Sequence, residues 1–220
     1  MEKSWQVLEP DPEAVDKIAE AQNLDPLLAK CMLNRNLREL SDIETFLKPD
    51  AYEPPDPMLI PDMEKAVERI INAIEKGERI CIYGDYDADG VTAIAILTQG
   101  IRELSGDAFY YIPDRFFEGV GLNSNRLEIL LQEEQVGLVI TVDTGVRAFE
   151  EMEHARGLGL DIIITDHHTP DVSQPKAYAL LNPKLKNSEY PFENLCGAGV
   201  ALKMIQALDQ RFPNRLNLNK

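Results

Sequence analysis

The chain has 220 residues, 44% of them hydrophobic and 27% charged, which suits one large α/β domain with or without a small appendage. Cys31, Cys81 and Cys196 form no C-x-x-C pair, which excludes a disulfide framework and a cysteine zinc site, and no apolar run approaches the about 18 residues of a membrane helix. The net charge of −16, from 22 basic and 38 acidic residues, opposes a simple basic nucleic-acid grip and suits carboxylates gathered around divalent cations.

Residues 1–58 read as small helices and a proline-rich connector. Pro10, Pro12 and Pro26 punctuate the segment, and Leu37, Leu40, Ile43, Phe46 and Leu47 follow a helical spacing. The stretch from Pro49 to Pro61 predicts an extended connector. Val67, Ile70, Ile71 and Ile74 then predict a helix ending near Gly77. From residue 79 the pattern alternates. Strands are expected at Arg79–Tyr83, Ala108–Ile112, Leu138–Val142, Asp161–Thr165 and Tyr178–Leu181, with helices near 89–104, 124–134, 147–157 and 199–211. Short apolar strands separated by helices predict a Rossmann-like, mostly parallel five-stranded sheet covered on both faces, so residues 59–220 are expected to form one α/β domain.

Polar and metal-capable residues recur where these strands end. Gly84-Asp85-Tyr86-Asp87-Ala88-Asp89-Gly90 follows the first strand. An EF-hand loop would need a helix before it and a glutamate at the twelfth position, but a strand precedes and that position is Ile96. A solvated acidic turn is the plainer alternative, although like charges this close repel unless a cation lies among them. Asp143 follows an apolar strand and precedes Thr144-Gly145; alone, it would read as a helix cap or turn residue. Asp166-His167-His168 ends a further strand, whereas His154 sits in a polar helix and reads as a surface residue. Asp114-Arg115 and Asn123 follow the second strand, where a surface ion pair is the simpler outcome, and Asn182 follows the fifth.

Ligands of parallel α/β sheets bind beyond the carboxyl ends of the strands, which makes this pattern one site. Oxygen and imidazole donors without thiolates suit Mn²⁺ or Mg²⁺. Several shared carboxylates suit two ions, which at about 3.5–4 Å apart activate water and clamp a phosphoryl group. In that scheme Asp143 bridges, Asp87 and Asp89 each hold an ion, and Asp85 is a ligand or supports one. His167 completes a metal shell, oriented by Asp166. His168 stabilises or protonates phosphate oxygens, and Arg115 neutralises phosphate charge. Gly197-Ala198-Gly199 is too short for a dinucleotide fingerprint and follows no strand.

Asp87-x-Asp89, Asp143 and Asp166-His167-His168 resemble the successive motifs of the DHH phosphoesterases. The run Gly84–Thr92, the segment Leu195–Ala201 and the lead-in Ser41–Leu47 are similar to the RecJ branch of that family. The resemblance implies that Asp87, Asp89, Asp143 and His167 ligate metal, with His168 near the scissile phosphate. It implies 5′-to-3′ degradation of single-stranded DNA in repair and recombination, with helicase and single-strand-binding proteins as candidate partners. It also implies a longer protein, with a further acidic motif, a second domain and an oligonucleotide-binding fold. None of these fits after Leu208, so a partial enzyme is expected, with its DNA-gripping basic surface elsewhere. Another DHH hydrolase of short oligonucleotides or nucleotides, and a non-catalytic DHH module, are the competing readings. The cysteine usage and the absence of an apolar leader predict a cytoplasmic setting.

Overall fold

The computed structural model describes residues 6–48, 54–213 and 215–216. It comprises two compact units, Met1–Pro54 and Pro55–Lys220, a division earlier than the expected one after residue 58.

The first unit holds α1 (Pro12–Gln22), α2 (Pro26–Leu33) and α3 (Leu40–Leu47). Asp11 and Asp25 cap α1 and α2 by accepting the N–H of Glu13 and Leu27, and each helix begins with proline, whose missing N–H costs nothing there. Val15, Ile18, Ala29, Met32 and Ile43 form the small core. The expected extended connector from 49 to 61 is corrected in part: residues 49–53 lie outside the described residues, and Pro57–Leu59 make a 3₁₀ turn whose Met58 N–H donates to Asp56. Proline at the start of that turn and an aspartate before it favour closure over extension.

The second unit runs α4 (Met63–Lys76), β1 (Arg79–Gly84), α5 (Ala88–Glu103), β2 (Ala108–Tyr111), α6 (Ser124–Gln132), β3 (Val136–Val142), α7 (Phe149–Leu158), β4 (Asp161–Thr165), β5 (Ala179–Leu181) and α8 (Gly197–Arg211). The five strands lie in the order β2-β1-β3-β4-β5, and every pairing is parallel. Alternate residues feed opposite faces. Ile80, Ile82, Ile140 and Ile163 pack with α4, α5 and α8, while Cys81, Tyr83, Val139 and Ile164 pack with α6 and α7. Arg69 of α4 ties the amino-terminal edge of the sheet together, donating to Asp161 and Glu78 at 2.7 Å and to the Gly137 carbonyl at 3.1 Å. Among the described residues no helix is long and apolar enough to cross a membrane.

Strand order reverses between β1 and β3. Their flanking helices leave on opposite faces there, which opens a crevice at the carboxyl edge of the sheet.

Candidate metal centre

The loop after β1 is shaped by its own aspartates. Asp87 caps α5, with one carboxylate oxygen accepting the N–H of Asp89 and Gly90 at 2.9 Å each. Asp85 accepts the N–H of Tyr86 at 2.7 Å. A side chain on Gly90 would meet the Asp85 carbonyl at 2.5 Å, so the turn closes this tightly only with glycine. Asp89 is held from another element: its oxygens accept the N–H of Gly197 at 2.7 Å and of Ala198 at 2.6 Å, in the first turn of α8. A helix amino terminus is a good anchor for a carboxylate, since it combines free N–H donors with a favourable dipole.

Asp143 leaves β3 in the left-handed region at φ 58, and its N–H donates to the Thr165 carbonyl at 3.0 Å. Buried threonines brace the strand ends, Thr165 donating to the Thr141 carbonyl and Thr141 to the Thr144 carbonyl. Asp143 is only 2% exposed. Its Oδ1 lies 3.0 Å from His167 Nε2 yet forms no hydrogen bond. His167 Nε2 is also 3.5 Å from Asp89 Oδ2. Asp143, His167 and His168 each offer a ligand atom, all within 4.8 Å of one another.

Asp166 organises the turn after β4. Its Oδ1 accepts the N–H of His167 at 2.7 Å and of His168 at 3.0 Å, and lies 2.7 Å from His168 Nδ1; its Oδ2 accepts the Val146 N–H at 2.9 Å. The expected orientation of the His167 ring by Asp166 is therefore corrected: the carboxylate meets the His168 ring. A residue two positions on reaches back across the turn more readily than the immediate neighbour, whose ring faces Asp143. Asn182, after β5, fixes the same turn by donating to the His168 carbonyl at 2.9 Å.

The electrostatics follow from this crowding. Burial, then repulsion from Asp89, Asp87 and Asp166 against the pull of His168, pushes the Asp143 carboxyl up to about 7. For Asp89 burial acts upward, but the N–H groups of Ala198 and Gly197, with help from the Cys196 thiol and His167, hold it below its usual value. A buried carboxylate oxygen without a partner, among other carboxylates and an imidazole, fits a divalent cation.

The remaining expected residues lie around this cluster. Arg115 is exposed, with its guanidinium 4.6 Å from the Tyr86 ring centre rather than paired with Asp114. Asn123 caps α6, its oxygen accepting the Arg126 N–H at 3.0 Å. His154, on α7 and away from the cluster, is half-buried with its Nε2 3.0 Å from the Glu128 carboxylate on α6. Gly197 and Ala198 are not among the residues expected in the site. Their contribution is backbone N–H, which no side-chain pattern reports, although the glycine itself is a signal: a Cβ on Gly197 would stand 2.8 Å from Asp143.

A family model described as "DHH family, N-terminal domain" matches residues 79–219. The chain is 39% identical over 212 residues to the single-stranded-DNA-specific exonuclease RecJ of Bacillus subtilis (strain 168), covering 96% of this chain and 27% of that protein. It is 37% identical over 202 residues to the protein of the same name from Escherichia coli (strain K12), covering 88% and 33%. The crystal structure of RecJ in complex with Mn²⁺ from Thermus thermophilus superposes with a TM-score of 0.71 at 29% identity, covering 92% of this chain and 28% of that one. The chain thus spans about a third or less of the curated relatives it matches.

Proposed function

The chain belongs to the DHH family, and on that premise we propose that it is the metal-binding part of a 5′-to-3′ exonuclease for single-stranded DNA, serving repair and recombination. The observation that carries the reading is the buried, unpartnered Asp143 Oδ1 beside His167 Nε2, at the sheet edge where Asp89 also points.

Asp89, Asp143 and His167 would hold Mn²⁺ or Mg²⁺, with Asp87 and Asp85 adding carboxylates for a second ion. Such ions, when bound, polarise the phosphoryl group and ease deprotonation of water. The protein's own part is positional. The contact with Asp166 fixes the His168 ring: if Nδ1 carries the proton, Nε2 is the atom left to face phosphate or the leaving oxygen. Arg115 would offset phosphate charge. Asn123 has its oxygen committed to the helix cap, so its amide nitrogen would face substrate. Helicase and single-strand-binding partners are inferred from the family likeness, and a cytoplasmic setting from three free cysteines.

A second reading, a DHH hydrolase of short oligonucleotides or nucleotides, is favoured by one observation, the net charge of −16. Both are tested by titrating Mn²⁺ into this chain by calorimetry while digesting 5′-phosphorylated single strands of graded length. Tight binding near two ions with mononucleotide release from long strands supports the exonuclease. Cleavage confined to the shortest strands favours the second reading. Absence of Mn²⁺ binding defeats the assignment of these ligands.

A further inference from the structure

Two adjacent rings stand in solvent at the rim of this site. Phe116 is 89% exposed and Phe117 88%, the largest exposures among the phenylalanines described. Exposed phenylalanine side chains forgo the gain of burial, so a loop that presents two in succession invites a functional account.

The loop is built, and its polar groups are spent internally. Asp114 accepts the N–H of Phe116 at 2.8 Å and of Phe117 at 3.3 Å, which forms the turn that lifts the rings outward. Glu118 accepts the Tyr111 hydroxyl at 2.5 Å and the Asp114 N–H at 2.9 Å. Both local acids are thereby engaged within the loop. Arg115 lies over the exposed Tyr86 ring and has no carboxylate partner among the described residues. The outward face is thus two phenyl rings beside a cation stacked on tyrosine.

Topology sets this face next to the metal ligands. Tyr83 at the end of β1 pairs in register with Tyr111 at the end of β2, so the loop rises one strand away from the Asp85–Asp89 turn, and Tyr86 belongs to that turn. At its far end the Gly121 carbonyl accepts the Tyr83 hydroxyl at 3.1 Å. There the loop borders a cavity of about 240 Å³ whose wall includes Thr144, Gly145 and Arg147 of the segment after β3, with Glu151 of α7. The loop therefore spans the rim from the β1 side to the β3 side of the ligand cluster.

The geometry points to Phe116 and Phe117 as a stacking step for the unpaired bases of a single strand whose phosphate lies at the metal site. Every base offers a π-face, so such a step accepts any sequence, while Arg115 meets the backbone charge. This deepens the exonuclease reading and rests on it. Single-stranded nucleic acid suits the face better than a protein partner does, because cation, aromatic rings and phosphate-seeking centre lie together.

The test compares a fluorescent 5′-phosphorylated oligothymidylate with an abasic strand of equal length and phosphate count, by anisotropy, with the chain as it is and with Phe116→Ala/Phe117→Ala. Expected is about tenfold tighter binding of the base-bearing strand, lost in the double variant and retained in Phe116→Trp/Phe117→Trp. Equal affinity for the two strands, no binding of either, or a preference that survives the alanine pair overturns the proposal. So does a change of oligomeric state in the alanine pair, which would assign the rings to a protein contact. Running both strands in chelator prevents digestion and scores the base preference by itself, while the separate Mn²⁺ titration scores the metal assignment, so the failure of one reading is distinguishable from the failure of the other.

Discussion

A methyl group on Gly197 would lie 2.8 Å from the Cβ, Cγ and Oδ1 atoms of Asp143, so the first residue of α8 abuts a buried carboxylate of the site. The same residue donates its N–H to Asp89. One glycine therefore sets the spacing between two carboxylates that arise on different loops.

Gly197→Ala should lower Mn²⁺ affinity by about 10–100-fold, the range typical of outer contacts that orient ligands. Helix content by circular dichroism should be unchanged, since alanine favours a helix start no less than glycine does. Unaltered calorimetric affinity would show that Asp143 shifts without consequence.

Asp143→Asn should raise the melting temperature of the metal-free chain while abolishing Mn²⁺ binding. The amide removes a buried charge repelled by Asp89 and Asp87, and asparagine tolerates the left-handed backbone that residue 143 adopts. In the complete protein, Asp143→Ala should cost several orders of magnitude in metal-dependent hydrolysis, with the fold retained. A lower melting temperature for the asparagine variant in chelator contradicts the repulsion argument.

The pH dependence follows with a definite sign. Asp143 titrates near 7 in the fold against an ordinary 3.8, so between those values the folded chain holds a proton that the unfolded chain has released. Stability of the metal-free chain then falls as pH rises through that window. Asp89 is lowered instead, so its stabilisation is present above its ordinary value and is lost only as pH falls through its folded one. Melting curves in chelator at pH 5 and pH 8 should separate for the natural chain, and the gap should shrink in Asp143→Asn.

His167→Ala should weaken Mn²⁺ binding far more than His168→Ala, because only His167 approaches both Asp89 and Asp143. Asp166→Asn should act through His168. It replaces an acceptor of buried N–H groups, at about 1–3 kcal/mol, and should displace the alkaline or acid limb of the complete enzyme's pH–rate profile. An unmoved profile with reduced stability alone would make Asp166 merely structural.

The sheet and its ligand edge are readable in the sequence because strands such as Ile162–Ile164 and Leu138–Val142 are short β-branched runs ending in acids. Which ring a carboxylate meets is not readable there. Asp166, His167 and His168 are consecutive, and only the turn geometry, pinned by Asn182, decides that Asp166 faces His168. The grip of α8 on Asp89 is equally hidden, since backbone N–H groups carry no residue signature and the partners lie 108 and 109 positions apart. Arg115 and Asn123 stand out for their chemistry. Their local duties, stacking on Tyr86 and capping α6, emerge only from the folded loops.

That long span between Asp89 and the start of α8 has a consequence for biosynthesis. A nascent chain that has emerged from the ribosome only as far as the turn after β4 already carries every acidic and imidazole ligand named above, yet Asp89 has no anchor. Ion capture by these residues should thus be a late event, completed when α8 docks onto Asp89.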